Sequence, residues 1–247
     1  MDQRLSALSR DHMVRQVRAE AAIQRAVSSA WGRTLDPLSL DATFPDFVRL
    51  TLPLIRAGRS RSTATARTFY AQSKLIAGLT TPAPAIAVPI LTTEAATAAL
   101  RINGPVNVKK QMTRGVPVDV AMTVAQAATL RAAKRLTLDA SRATIIGLTK
   151  RDTDAEGWAR ESDGKPCSFC AMLVGRGPVY SEATATFRSH NGCCCSARPV
   201  FDRADGWSPQ ARAIRDLYDE AGASDFRTAY RERMAESTSD LAQALAA

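Results

Sequence analysis

Residues 118–146 read VDVAMTVAQAATLRAAKRLTLDASRATII, with apolar side chains at helical spacing and neither proline nor glycine. A stretch of this length with that period has one good solution, a long amphipathic helix. Gly147 stands where a helix C-cap is expected. The rest of the chain follows the same pattern. Leu5, Leu8, His12, Val14, Val17, Ile23 and Val27 recur at three- and four-residue steps, which predicts a helix over 3–31, ended by Gly32 and Asp36-Pro37. A second helix is expected from about Pro45 to Leu79, with Gly58 as a kink and with Tyr70 and Leu75 facing inward.

Between these helices the punctuation is clear. TTPAPAIAVPI, residues 80–90, carries three prolines and reads as an extended connector. Thr92 or Thr93 can cap a short helix through Leu100, Asn103-Gly104-Pro105 breaks it, and another short helix over 106–114 ends at Gly115-Val116-Pro117. After Ser208-Pro209, two amphipathic segments return, ARAIRDLYDEAG and DFRTAYRERMAESTSDLAQALA. No fixed-period repeat is present.

Composition agrees with a helical class. The 247 residues suit one large domain or two small ones, hydrophobic residues make up 45%, and aromatics only 6%. No apolar run approaches the roughly 18 residues of a membrane helix, and the first twenty residues lack a secretory leader's apolar stretch. Neither GxxxxGK[ST] nor GxGxxG occurs.

The net charge of +9 is uneven. Residues 1–150 carry 21 basic and 9 acidic side chains, +12, and residues 151–247 carry 12 and 15, −3. Of the basic residues 27 are Arg and 6 Lys, so the front part could face phosphates or an acidic partner. The basic residues are scattered, however, and a solvated helical surface explains them as well.

All five cysteines fall within 29 residues: Cys167-Ser-Phe-Cys170, then nineteen residues, then His190-Asn-Gly-Cys193-Cys194-Cys195. A Cys-x-x-Cys turn brings two sulfurs to one tetrahedral ion, and the His-x-x-Cys-x-Cys segment can supply the other two ligands. In an extended backbone Cys193 and Cys195 point one way and Cys194 the other. The expected ligands are therefore Cys167, Cys170, His190 and one of Cys193 or Cys195. A disulfide framework is disfavoured by the odd cysteine count, and a thioredoxin-like motif would want a βαβ context. A closed four-ligand site leaves no position for water, so the zinc expected here is structural. The intervening segment, with its Gly175-Arg176-Gly177-Pro178 turn, makes a hairpin-like module too short to fold without the metal.

The other polar residues single out no catalytic set. His12 reads as an ordinary helix residue. Asp152, Asp154, Glu156, Glu161 and Asp163 read as a solvated acidic stretch. Trp158 and Trp207 read as packing on the module's edges. No GxSxG elbow marks a nucleophile, and the chain is not expected to be an enzyme.

The segments GKPCSFCAMLVGRGPVY and HNGCCCSARPVF resemble the cysteine-rich signature of the phage Mu F-like minor head proteins, or phage head morphogenesis proteins, closest to the actinobacteriophage branch. Cys167, Cys170, His190, Cys193 and Cys195 match its motif, and Pro199 and Phe201 match its tail. Cys194 stands where that family commonly carries Arg or another polar residue. The resemblance covers residues 158–201. It implies a virion protein acting near the portal, inside the capsid, in head assembly, DNA packaging or ejection. The portal and other head proteins would be its partners, with packaged DNA possible and no membrane or small-molecule substrate.

The expected architecture is mainly α. A basic, elongated helical body spans 1–150, a zinc-stapled α+β/loop module spans 151–206, and C-terminal amphipathic helices span 207–247. The alternative is a cellular zinc-containing nucleic-acid-binding protein that uses the basic front half for phosphate contacts.

Overall fold

The computed structural model describes residues 3–162, 166–181, 186–204 and 206–246, with backbone only from 238 onward. Helices dominate: α1 Gln3–Thr34, α2 Leu40–Ile76, α3 Thr93–Asn103, α4 Pro105–Met112, α5 Val118–Arg151, α6 Ser168–Val174 and α7 Pro209–Ala246. Strands β1 Gly157–Glu161 and β2 Ser196–Val200 pair antiparallel, with Gly157 opposite Val200 and Glu161 opposite Ser196.

At about 1.5 Å per residue, α1, α2 and α5 are each about 50 Å long. They pack along one another, with Val27, Ala30 and Trp31 of α1 meeting Phe44, Phe47 and Ile55 of α2 and Ala121, Ala125 and Ala133 of α5. The alanines of α5 explain how close these helices lie. Gly58 sits at the tightest point, where a Cβ would stand 2.9 Å from Thr137 Cγ2 and 3.1 Å from Ile23 Cγ1. It provides close approach rather than the expected kink, and α2 runs on through it.

Several expected boundaries shift for physical reasons. Helix α2 begins at Leu40, not Pro45, and contains both Pro45 and Pro53. Both prolines are exposed, as are Asp41 and Arg49 four residues before them, so water can take the carbonyls that lose a partner. Leu75, expected to face inward, is 66% exposed, whereas Tyr70 is fully buried. Helix α5 does not end at Gly147 but continues to Arg151. A Cβ on Gly147 would lie 3.1 Å from Ile86, so this glycine admits the connector instead of capping the helix.

The proline-rich connector is extended as expected, and three arginines hold it by its carbonyls. Arg151 donates to Ala85, Arg67 to Ile86 and Arg59 to Pro89. Such a segment has no internal ladder, so its backbone acceptors must find donors elsewhere. Thr92 then caps α3 by accepting from Ala95 N at 3.1 Å.

The acidic stretch is not a solvated loop. Asp152 is buried, accepts from Lys74 Nζ at 2.8 Å and from Tyr70 Oη at 3.0 Å, and joins α2 to the start of the module. Asp154 adds a second carboxylate to Lys74 at 2.9 Å. Glu161 is buried in β1 and accepts from Arg198 Nε of β2 at 2.7 Å. Glu156 is the exposed one, and Asp163 lies outside the described residues.

Both strands are buried along their whole length. Trp158 of β1 stacks on Tyr180 with centroids 4.3 Å apart and on Phe187 at 5.6 Å. His12 is buried too, stacked on Phe69 at 4.3 Å and near the hydroxyls of Ser141 and Ser196. It therefore belongs to the core between α1, α2, α5 and β2 rather than to a plain helix surface.

Past the module, Ser208 caps α7, which carries a break at Gly222 with φ +76°, so two helical segments meet there as the sequence suggested. Ile214, Phe226 and Tyr230 of α7 close over Ala171 and Val174 of α6.

Candidate metal centre

Two local structures bring the cysteines together. Cys167 caps α6, and one helical turn places Cys170 beside it, with Cys170 N donating to Cys167 Sγ at 3.5 Å. The second half is the run from His190 into β2. Gly192, with φ +85°, turns the chain, and β2 begins four residues later at Ser196. Side chains then alternate as the sequence reading expected. Cys193 and Cys195 are buried and face Cys170, while half-buried Cys194 faces Lys134 of α5.

The ligand atoms converge in two overlapping triads that share Cys170. One is Cys167, Cys170 and His190; the other is Cys170, Cys193 and Cys195. Within each, all ligand atoms lie within 4.8 Å of one another. His190 Nε2 is 3.3 Å from both Cys167 Sγ and Cys170 Sγ, and Cys170 Sγ is 3.7 Å from Cys193 Sγ. A tetrahedral zinc ion sets sulfur–sulfur edges of about 3.8 Å and sulfur–nitrogen edges of about 3.5 Å. These spacings fit a metal ion, and no disulfide joins the cysteines.

The histidine is oriented for the same role. Its Nδ1 lies 3.0 Å from the Asn191 carbonyl, a natural acceptor for Nδ1–H, which leaves the Nε2 lone pair facing the sulfurs. Hydrogen bonding from Cys170 and then Cys195 pushes the Cys193 thiol down, and the hydrogen bond to Cys193 pushes Cys170 up to about 12. Three sulfurs so close cannot all ionise unless a cation joins them, which is what a metal ion supplies.

Helix α5 fixes the second half of the site, through residues that the cysteine spacing does not reveal. Arg142 donates from Nη2 to the Cys193 carbonyl at 2.7 Å and from Nε to the Cys195 carbonyl at 2.9 Å, and Asp139 holds its Nη1 at 2.7 Å. Ser189 donates to Asp139, and Arg135 to Asn191. An arginine inside an amphipathic helix is an ordinary surface residue to any pattern reading. Only the burial of Arg142, 2% exposed, sets it apart.

A cleft of about 720 Å³ lies between α1 and the start of α7, lined by Met13, Val14 and Val17 with Arg10 and Arg18. Glu161, the one carboxylate among its described lining residues, is engaged by Arg198. No described helix is long and apolar enough to cross a membrane.

Comparison with known proteins adds the family. The gene 15 protein of Mycobacterium phage D29 is 31% identical over a stretch that covers 32% of this chain and 41% of that protein. The chain thus spans about two-fifths of the length of this curated relative. No solved structure matches the chain. The VG15 protein family model matches residues 4–221, from the first turn of α1 to the first half of α7, and with the helical body and the Cys/His cluster both inside that match, the chain belongs to the VG15 protein family.

Proposed function

We propose that this protein is a minor component of a phage head, acting near the portal from inside the capsid during head assembly, DNA packaging or ejection. The observation that carries the reading is the Cys/His cluster. Its C-x-x-C and H-x-x-C-x-C halves, which resemble the Mu F-like minor head signature, meet in space within a chain of the VG15 protein family that is also similar to a mycobacteriophage protein.

In this reading the protein is not an enzyme. Its metal ion is a structural zinc, held by Cys167, Cys170, His190 and one of Cys193 or Cys195, with Cys195 or Cys193 as the adjoining thiol. The zinc supplies a covalent-strength crosslink between α6 and the segment leading into β2. The chain's own residues do the rest: Arg142 ties that segment to α5, and Asp152 with Lys74 ties the start of the module to α2. A module locked to a long helical body is suited to presenting a rigid docking surface to the portal or other head proteins. The arginines exposed along α1, Arg10, Arg15, Arg18, Arg25 and Arg33, suit contact with packaged DNA.

The test is direct. Nuclease-treated, density-purified virions and empty precursor heads of the parent phage are digested and analysed by mass spectrometry. Peptides of this chain should be present at low copy number relative to the major capsid protein. Their absence from both particles sinks the assignment.

A further inference from the structure

Arg160 is a buried cation with an incomplete set of partners. It lies in β1, is 2% exposed, and its ring-like guanidinium stacks over Phe187 with 3.8 Å between Cζ and the ring centroid. Its Nη2 donates to the Arg188 carbonyl at 2.8 Å, its Nε has no hydrogen-bond partner, and its Nη1 points at Cys170 Sγ, 3.9 Å away. Among the described residues no carboxylate pairs with it, although Glu161 next to it in sequence pairs with Arg198. A buried guanidinium without an anion is costly, and arginine does not shed its proton to escape that cost. The anion it faces is the sulfur shared by both triads of the metal centre.

We propose that Arg160 is a positioning residue of the metal centre: it balances the charge of the Cys170 thiolate and hydrogen-bonds to it. The proposal rests on the zinc reading above. Whether the ion takes three thiolates and the imidazole or four thiolates, the loaded centre is net negative, and its Cys170, Cys193 and Cys195 side is buried while Cys167 and His190 are exposed. The Arg160 guanidinium supplies positive charge beside Cys170, whereas the charge of Arg142, 5.0 Å from the Phe187 ring, is already met by Asp139 at 2.7 Å. Phe187 offers its π face to the Arg160 guanidinium, 3.8 Å away. Loading releases the thiol protons to solvent, and the guanidiniums keep theirs. The β1 strand in this way becomes part of the metal site without contributing a ligand, which makes sheet formation and metal affinity interdependent.

The experiment measures zinc affinity of the full-length protein by competition with a chromophoric chelator, for wild type, Arg160→Met and Arg160→Lys, together with the cobalt(II)-substituted spectrum of each. Loss of an outer hydrogen-bond partner typically weakens metal binding by about 10–100-fold. Arg160→Met should show a loss of that order, Arg160→Lys should recover much of it, and the sulfur-to-cobalt charge-transfer band of the Met variant should shift to lower energy because its thiolate has lost an N–H donor. Arg160→Gln, which retains a donor for the Arg188 carbonyl, takes the place of the Met variant if that does not fold. Zinc affinity of the neutral variant within about threefold of both wild type and Arg160→Lys, with an unmoved cobalt band, overturns the proposal. A wild-type protein that binds no zinc overturns the underlying metal reading instead, so the two failures are separable.

Discussion

Lys74 Nζ and Asp152 Oδ2 lie 2.8 Å apart with side chains only 3% and 4% exposed, and this pair joins the end of α2 to the residue that caps α5. Tyr70 Oη and the backbone N of Asp154 complete the shell around Asp152, and Thr81 donates to Asp154. A buried pair of this kind adds little over an apolar replacement, yet losing one partner strands the other. Lys74→Met should therefore lower stability by about 3–5 kcal/mol, and Lys74→Met combined with Asp152→Leu should cost clearly less than the two single changes summed. Urea denaturation of the four proteins in the cycle checks this.

His12 predicts a pH dependence. Burial lowers its pKa from 6.5 to about 4, with Asp11 opposing and Arg15 assisting, and its Nδ1 has no partner among the described residues. A base depressed in the folded state takes up its proton more readily when unfolded. Its contribution is complete above pH 6.5 and is lost as the pH falls from there toward about 4. The loss amounts to about 3 kcal/mol at most. Stability measured across that range should fall in wild type and fall less in His12→Asn, against the shared background of the carboxylates.

Metal removal should act through the cluster and not through Cys194. A strong chelator should lower the melting temperature of the wild type and expose buried thiols to a thiol reagent. Cys170→Ser, which removes the sulfur common to both triads, should melt at the same lowered temperature with or without chelator. Cys194→Ser should keep the zinc content and the chelator response of the wild type, because that side chain faces Lys134.

Gly177 separates conformational cost from packing cost. Its φ is +69° and a Cβ there would stand 2.6 Å from the Trp207 ring, whereas Gly78, with φ +76°, has open space around it. Gly78→Ala should cost about 1 kcal/mol from the left-handed backbone alone. Gly177→Ala adds displacement of the indole and should cost about 2–4 kcal/mol, with a change in tryptophan fluorescence that the Gly78 variant does not show.

Much of this molecule is legible in the order of its residues. Periodicity along 118–146, the prolines of the connector, the Thr92 cap and the glycine near 222 depend on neighbours a few residues apart, and the helices follow from them. The same holds for the clustering of the cysteines with His190, since C-x-x-C and the alternation of Cys193, Cys194 and Cys195 are local rules. What the sequence does not reveal is the set of partners that meet from far along the chain. Asp152 and Glu161 read as solvated acids until Lys74 and Arg198 arrive beside them, and Gly147 reads as a cap until Ile86 packs against it. Arg142 and Arg160 are two among 27 arginines by sequence. Only the packing of α5 and β1 against the cysteine segment buries their charges, and a charge becomes informative when water can no longer screen it.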